Sequence, residues 1–166
     1  MPQLKKMLII AAMALAGIIA FMVFFKSDAA VIKARFDKLA GHMAKEAGEK
    51  ELLSAAKARH VSNMFAESGR VDIPAYDITR TFTRDKVQQW VMIARSRYRV
   101  LSLDFYDFNI DFPEEGRSRV DVTAFLEAAG SDGGPAQEVH QLVFVLEKEE
   151  GDWLFTEVEG VDVLER

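Results

Sequence analysis

Cysteine is absent from the 166 residues, which excludes disulfides, thiolate metal sites, thiol catalysis and an acylated lipoprotein cysteine. Basic residues are fewer than acidic residues. Residues 1–25 contain Lys5 and Lys6 and no acids, so residues 26–166 carry 19 basic and 26 acidic side chains. A net acidic domain has little long-range attraction for phosphate backbones, so we expect no nucleic-acid partner.

The common motifs of metal and phosphate chemistry are also missing. The sequence has no glycine-rich phosphate loop, no GxSxG nucleophile turn and no HExxH, and His42 and His60 fall in separate predicted helices. The stretch from Asp107 to Asp111 matches the start of a calcium loop, but Phe112 stands where that loop needs glycine and Ser118 where it needs glutamate. We therefore expect neither a metal nor a cofactor.

A long uncharged run lies near the N-terminus. From Met7 to Phe25 the chain has 19 residues without a charge, about 28 Å as a helix, which matches the roughly 30 Å hydrocarbon core of a bilayer. The pattern predicts an uncleaved single-pass anchor over residues 1–27, followed by one domain over residues 28–166. Ser27-Asp28-Ala29 is an acceptable cleavage site, so a signal peptide stays as the alternative.

Charges around the run do not fix its orientation. Two lysines precede it, whereas Lys26, Lys33, Arg35 and Lys38 follow it. A short basic segment before a long apolar run is how export signals begin, and large domains translocate largely regardless of charge. We therefore expect a bacterial inner-membrane protein with its C-terminal domain in the periplasm.

Helical spacing dominates the first half of the domain. Apolar residues at this spacing predict one helix after the anchor, a second from about Glu49 to Ser68 that stops at Gly69, and a third that begins after an N-cap at Thr83. Between the second and third helices, two short apolar segments around Pro74 predict a strand pair.

Alternation with a period of two predicts four long antiparallel strands after Tyr98. Leu103 and Phe105 alternate in one phase and Phe108 and Ile110 in the other, as a β-bulge produces. The fold class is therefore α+β, with a curved antiparallel sheet of four long strands plus a short hairpin around three helices, behind a transmembrane helix.

This element order resembles the nuclear-transport-factor-2-like family, a cone formed by a curved sheet wrapped around three helices. The bulged strand and the terminal Glu149-Glu150-Gly151-Asp152-Trp153-Leu154-Phe155 pattern carry the resemblance, which covers about residues 31–166. Such cones host isomerases, dehydratases, hydrolases and non-enzymatic assembly modules, so the resemblance implies the fold more than the activity.

Ionisable residues of the predicted strands are the candidates for a pocket in the cone. Family isomerases use a tyrosine with two acids, and other members use Asp/Arg or His/Asp pairs, but no motif here fixes such a set, so we assign no catalytic residue. His140 is in phase with Leu142 and should face the apolar side, although a hydrogen-bonded, inert rim histidine is the commoner outcome. The candidate pocket residues are His140, Tyr76, Tyr98, Asp104 and Tyr106.

Arginines suggest a partner surface. Arg97, Arg99, Arg117 and Arg119, with Arg95 beside them, are expected to form a basic strip, with cross-strand pairing to acids as the alternative. Without a catalytic set, the sequence favours a membrane-anchored, non-catalytic binding or scaffolding domain for a protein partner or a second copy of itself. The alternative is a binder of a small apolar ligand, or an isomerase- or dehydratase-like enzyme, that uses the cone interior.

Overall fold

The computed structural model describes residues 12–15, 17, 27–130 and 135–161. The chain divides into two compact units, residues 1–32 and residues 33–166. In the first unit, residues 12–15 and Gly17 are helical. The rest of the run from Met7 to Phe25, predicted to be a membrane anchor, lies outside the described residues. Among the residues that are described, no helix combines the length and the apolar character needed to cross a membrane.

The order of elements in the domain matches the prediction of two helices, a strand pair, a third helix and four strands. Thr83 caps the third helix as predicted, since its hydroxyl accepts a hydrogen bond from the Lys86 amide at 3.4 Å. The helices are α1 (Asp28–Met43), α2 (Glu51–Ser62) and α3 (Arg84–Arg97). The strands are β1 (Phe65–Ile73), β2 (Ile78–Thr83), β3 (Tyr98–Glu114), β4 (Arg117–Gly130), β5 (Pro135–Glu149) and β6 (Asp152–Gly160).

One curved sheet contains all six strands, in the order β2-β1-β6-β5-β4-β3. Neighbouring strands pair antiparallel except β1 and β6, which are parallel. The predicted hairpin of β1 and β2 is therefore joined to the last strand of the meander. The α+β prediction is confirmed for the domain.

The bulge in β3 lies where the change of phase places it. The register with β4 shifts between Tyr106 and Asn109, and Asp107 has a positive φ of 55°. The extra residue reverses the faces, so that Phe105 and Phe108 both turn inward and contact the Phe36 ring edge-to-face. The bend thus lets one strand cover the core on both sides of the bulge.

The predicted second helix is too long. It ends at Ser62, and residues from Phe65 onward belong to β1. Phe65 is buried and pairs with Phe155 of β6, and this tertiary pairing outweighs the local helical pattern. Gly69 is therefore a strand residue: a Cβ there would lie 2.1 Å from the Thr156 carbonyl oxygen and 2.3 Å from the Phe82 ring.

Candidate functional site

An apolar cavity of about 240 Å³ lies between the helices and the inner face of the sheet. Every side chain that lines it is hydrophobic. Val87, Trp90 and Val91 come from α3, Leu103 and Phe105 from β3, Ala124 from β4, and Leu142 and Phe144 from β5; Leu39, Met43, Val61, Phe65, Val71, Phe82 and Val158 complete the lining. The cone interior is therefore not completely filled by its own side chains.

Part of the lining is accessible to solvent. Leu103, Phe105 and Leu142 are only half-buried, so the cavity opens on this side. Trp90 is also half-buried, whereas Trp153 is fully enclosed in the core. The reason is that the Trp90 side chain faces the cavity instead of packed neighbours.

His140 lies beside this cavity. Its Cα is paired with that of Ala124, and Phe105 is paired with Ala124 from the other side, so the three side chains form one row on the same face of the sheet. Ala124 and Phe105 line the cavity, and so does Leu142, the next inward-facing residue of β5. The register therefore places His140 on the inner face of the sheet, beside the cavity.

Glu138 and Tyr76 converge on the His140 ring. His140 Nε2 lies 2.9 Å from Glu138 Oε2 and 3.3 Å from the Tyr76 hydroxyl oxygen, and that hydroxyl donates a hydrogen bond to Glu138 Oε2 at 3.1 Å. The Tyr76 and His140 rings are 5.7 Å apart. We call Tyr76, Glu138 and His140 the rim triad.

Two features of the chain place the rim triad. β6 pairs with β5 only as far as Leu142, so Glu138 and His140 lie beyond the end of β6. Tyr76 ends the short 3-10 helix Pro74–Tyr76 between β1 and β2, and Asp77, with a left-handed φ of 53°, turns the chain into β2. The Tyr76 side chain can therefore reach the part of β5 that β6 leaves uncovered.

The rim triad shifts the acidity of two of its members. Burial raises the pKa of the Tyr76 phenol, and its hydrogen bond to the negatively charged Glu138 raises that pKa further. Hydrogen bonds from His140 and Tyr76 hold the pKa of Glu138 below its ordinary value. Glu138 is therefore an ionised acceptor that orients the imidazole at neutral pH.

Sequence reasoning found no carboxylate to orient His140, and the structure corrects this with Glu138. The sequence signal that was missed is the period of the strand. Glu138 and His140 are two residues apart on β5 and therefore lie on the same face of the sheet. Tyr76 was a candidate, but its meeting with His140 depends on where β6 ends, which the local pattern does not reveal.

The other candidate pocket residues lie elsewhere. Tyr98, at the end of α3, is close enough for its charge to affect the pKa of Tyr76. Asp104 and Tyr106 are exposed and alternate with the cavity-lining Leu103 and Phe105, so they face the opposite side of β3. The candidate assignment of Tyr106 to the pocket is wrong for this reason, and Asp104 is a solvated strand carboxylate, the account that the sequence favoured over a pocket acid.

The four arginines do not form one basic strip. Arg97 ends α3 and Arg99 is the second residue of β3, whereas Arg117 pairs with Glu114 at the opposite end of the β3–β4 hairpin. Arg117 also forms ion pairs with Glu147 at 3.0 Å and Glu157 at 3.2 Å, and Arg119 with Asp121 at 3.4 Å. Cross-strand pairing accounts for Arg117, whereas Arg119 pairs with Asp121 within the same strand.

The two helical histidines meet, but not as metal ligands. The His42 and His60 rings are stacked 4.9 Å apart with 14° between their planes. Nitrogen lone pairs lie in the ring plane, so stacked rings do not direct them to a common ion. Within the described residues, no group of three or more His, Asp or Glu side chains is arranged to hold a metal ion.

No protein-family profile matches the sequence, and no curated protein is similar to it in sequence. Solved structures are similar in fold. A Novosphingobium aromaticivorans protein provisionally assigned as a scytalone dehydratase has a TM-score of 0.67 at 16% identity, over 84% of this chain and 89% of that chain. The LinA-type3 hexachlorocyclohexane dehydrochlorinase of Novosphingobium barchaimii has a TM-score of 0.63 at 9% identity, over 81% of this chain and 86% of that chain.

A protein named as nuclear-transport-factor-2-type has a TM-score of 0.53 at 16% identity, over 81% of this chain and all of that chain. These identities show the fold alone. The domain has the nuclear-transport-factor-2-like cone fold, in which enzymes and ligand-binding proteins both occur.

Proposed function

We propose that this domain binds a small, mainly apolar molecule in the cone interior, with a polar group of the molecule held at the rim triad. The observation that carries the proposal is the position of His140 in the same side-chain row as the cavity-lining Ala124 and Phe105. A pocket with an apolar body and a few convergent polar groups is the usual form of a small-molecule site.

The volume of the cavity sets the size of the ligand. A dry apolar cavity of about 150 Å³ holds benzene, so about 240 Å³ corresponds to a bicyclic hydrocarbon of roughly ten carbons. Burial of apolar surface would supply the binding free energy, and the absence of ionisable side chains from the described lining favours binding over chemistry inside the cavity.

Titration of the full-length protein with naphthalene tests this proposal, with quenching of Trp90 fluorescence as the readout. Ala124→Leu should abolish binding because its extra carbons occupy the cavity. Gln141→Leu introduces the same leucine side chain on the exposed outer face of β5 and should bind like the wild type. Equal binding by the two variants, or no binding by the wild type, would refute the proposal.

An enzyme that uses the same site is a second candidate function. The His140–Glu138 pair favours it, since a carboxylate that orients an imidazole produces a general base. One solved structure with this fold is named as a hexachlorocyclohexane dehydrochlorinase, which is an enzyme. The wild type, but not His140→Gln, should then accelerate exchange of the acidic C–H protons of 2-tetralone with deuterated water; an equal rate in both would exclude this function.

Attachment to a membrane through the run from Met7 to Phe25 stays part of the proposal and rests on the length and apolar character of that run. An inner-membrane position with the cone in the periplasm is proposed on the same basis. A protein partner or a second copy of the chain is the further proposal from sequence. The separation of Arg97 and Arg99 from Arg117 and Arg119 removes one of its supports.

A further inference from the structure

The side-chain hydrogen-bond donors of the rim triad donate to an acceptor within the triad. The Tyr76 hydroxyl proton is directed to Glu138 Oε2 at 3.1 Å. His140 Nε2 lies 2.9 Å from the same oxygen, and two lone pairs at that distance would repel, so Nε2 carries the proton and donates it to Glu138. Both side-chain donors of the triad are therefore satisfied by one carboxylate.

The remaining polar sites are all acceptors. With Nε2 protonated, Nδ1 of a neutral imidazole has only a lone pair; the Tyr76 oxygen keeps its lone pairs, and an ionised carboxylate accepts but does not donate. The low pKa of Glu138 is consistent with that ionised form. A ligand group that only accepts hydrogen bonds would meet lone pairs, and an anion would also meet the charge of Glu138.

We propose that the ligand of this cavity carries an uncharged hydrogen-bond donor, an alcohol or phenol hydroxyl, on an apolar bicyclic body, and that the Glu138 carboxylate of the rim triad accepts its hydrogen bond. The inference rests on the proposed binding function and adds the chemistry of the polar group. Carboxylates and acceptor-only groups such as ethers are disfavoured because two facing acceptors without a proton between them form no hydrogen bond. The rim triad is partly exposed, with Tyr76 at 53% and the Glu138 and His140 side chains at 48% and 33%, so such a group binds better to water than to the triad.

Four probes with the same naphthalene body separate binding in the cavity from recognition of the polar group. Naphthalene tests the cavity alone, 2-naphthol adds a donor, 2-methoxynaphthalene adds only an acceptor, and 2-naphthoate adds a negative charge. Each is titrated against the full-length protein in lipid nanodiscs near pH 8, where ordinary imidazoles are neutral, with Trp90 fluorescence as the readout. Empty nanodiscs correct for partitioning into lipid, and Trp90→Phe identifies the signal.

For the wild type we expect naphthalene to bind and 2-naphthol to bind at least about tenfold more tightly than 2-methoxynaphthalene, as for a hydrogen bond to a charged acceptor. 2-Naphthoate should bind more weakly than naphthalene. Glu138→Gln supplies an amide donor, so the preference for the hydroxyl should fall below about threefold. Glu127→Gln, which neutralises a carboxylate on the outer face of β4, should leave the preference unchanged.

The outcomes distinguish the two proposals. If naphthalene binds but 2-methoxynaphthalene or 2-naphthoate equals or exceeds 2-naphthol in the wild type, the cavity is a site and the donor inference is overturned. If the preference survives in Glu138→Gln with an unchanged near-ultraviolet circular dichroism spectrum, the rim triad is not its source. If no probe binds, the proposed function itself fails and the inference with it.

Discussion

Arg95 forms an ion pair with Glu49, and both side chains are buried, at 0% and 3% exposure. The same guanidinium donates hydrogen bonds to the carbonyl oxygens of His42, Met43 and Ala44, at the C-terminal end of α1. The expectation that Arg95 belongs to the basic strip is wrong, because its guanidinium is buried against Glu49. The pair connects α3 to the loop between α1 and α2.

Arg95→Met should therefore destabilise the domain strongly. The substitution leaves a buried carboxylate with one partner, Lys57 at 2.7 Å, and removes the Arg95 donor from the His42 and Met43 carbonyls, while the Ala44 carbonyl keeps Lys57 at 3.0 Å. Removing one member of a buried ion pair costs about 3–5 kcal/mol. Chemical denaturation measures the change, and Arg97→Met, at an exposed position of the same helix, should cost less than about 0.5 kcal/mol.

Stability should fall in acid partly because of Glu49. Burial raises the pKa of this carboxyl, but hydrogen bonds from Lys57 and Arg95 outweigh burial and hold the pKa below its ordinary value of 4.5. A lowered folded-state pKa contributes stability above the unfolded pKa, and that contribution is lost as the pH falls through the folded value. Glu49→Gln should show a shallower loss below about pH 4.5; identical curves would mean that Glu49 has the same pKa when unfolded.

Trp153→Ala should cost about 3–5 kcal/mol, as for other large-to-small core changes. Trp153, in β6, is 1% exposed. Phe112, whose ring lies 5.9 Å from it, is 45% exposed, so Phe112→Ala serves as the comparison and should cost much less. Similar losses for both variants would contradict the burial of Trp153.

Two glycine-to-alanine changes should have opposite signs. At Gly69 the new methyl would collide with the Thr156 carbonyl and the Phe82 ring, so we expect a loss of about 1–3 kcal/mol. At Gly41, inside α1, a Cβ has no atom within 4 Å, and alanine should stabilise the helix by about 0.5–1 kcal/mol. Thermal denaturation of the two variants compares them directly.

Membrane attachment is tested by fractionation. The chain should stay in the membrane fraction through alkaline carbonate washing because of the run from Met7 to Phe25. Deletion of residues 7–25 should release it. A mature N-terminus near Ala30 would instead show that the run is a cleaved signal peptide.

Local pattern predicted the element order, the N-cap at Thr83 and the bulge in β3, because each depends on residues close in the chain. The local pattern failed where pairing between strands far apart in the sequence determines the structure. Phe65 joins a strand because it pairs with Phe155, and Tyr76 reaches Glu138 because β6 stops at Gly160. The partners of the candidate site could not be predicted because they come from separate elements, although Glu138 was within reach of a strand-period argument.

The parallel pairing of β1 with β6 bears on how the protein is made. β1 is synthesised early, yet the neighbour that completes its second edge is the last strand to leave the ribosome. Until then, Phe65 and Val71 lack the contacts of the finished sheet, and β1 offers unpaired backbone groups to other chains. Pairing across so much of the chain also predicts slow folding. Nascent chains that stop before β6 should therefore depend on chaperones.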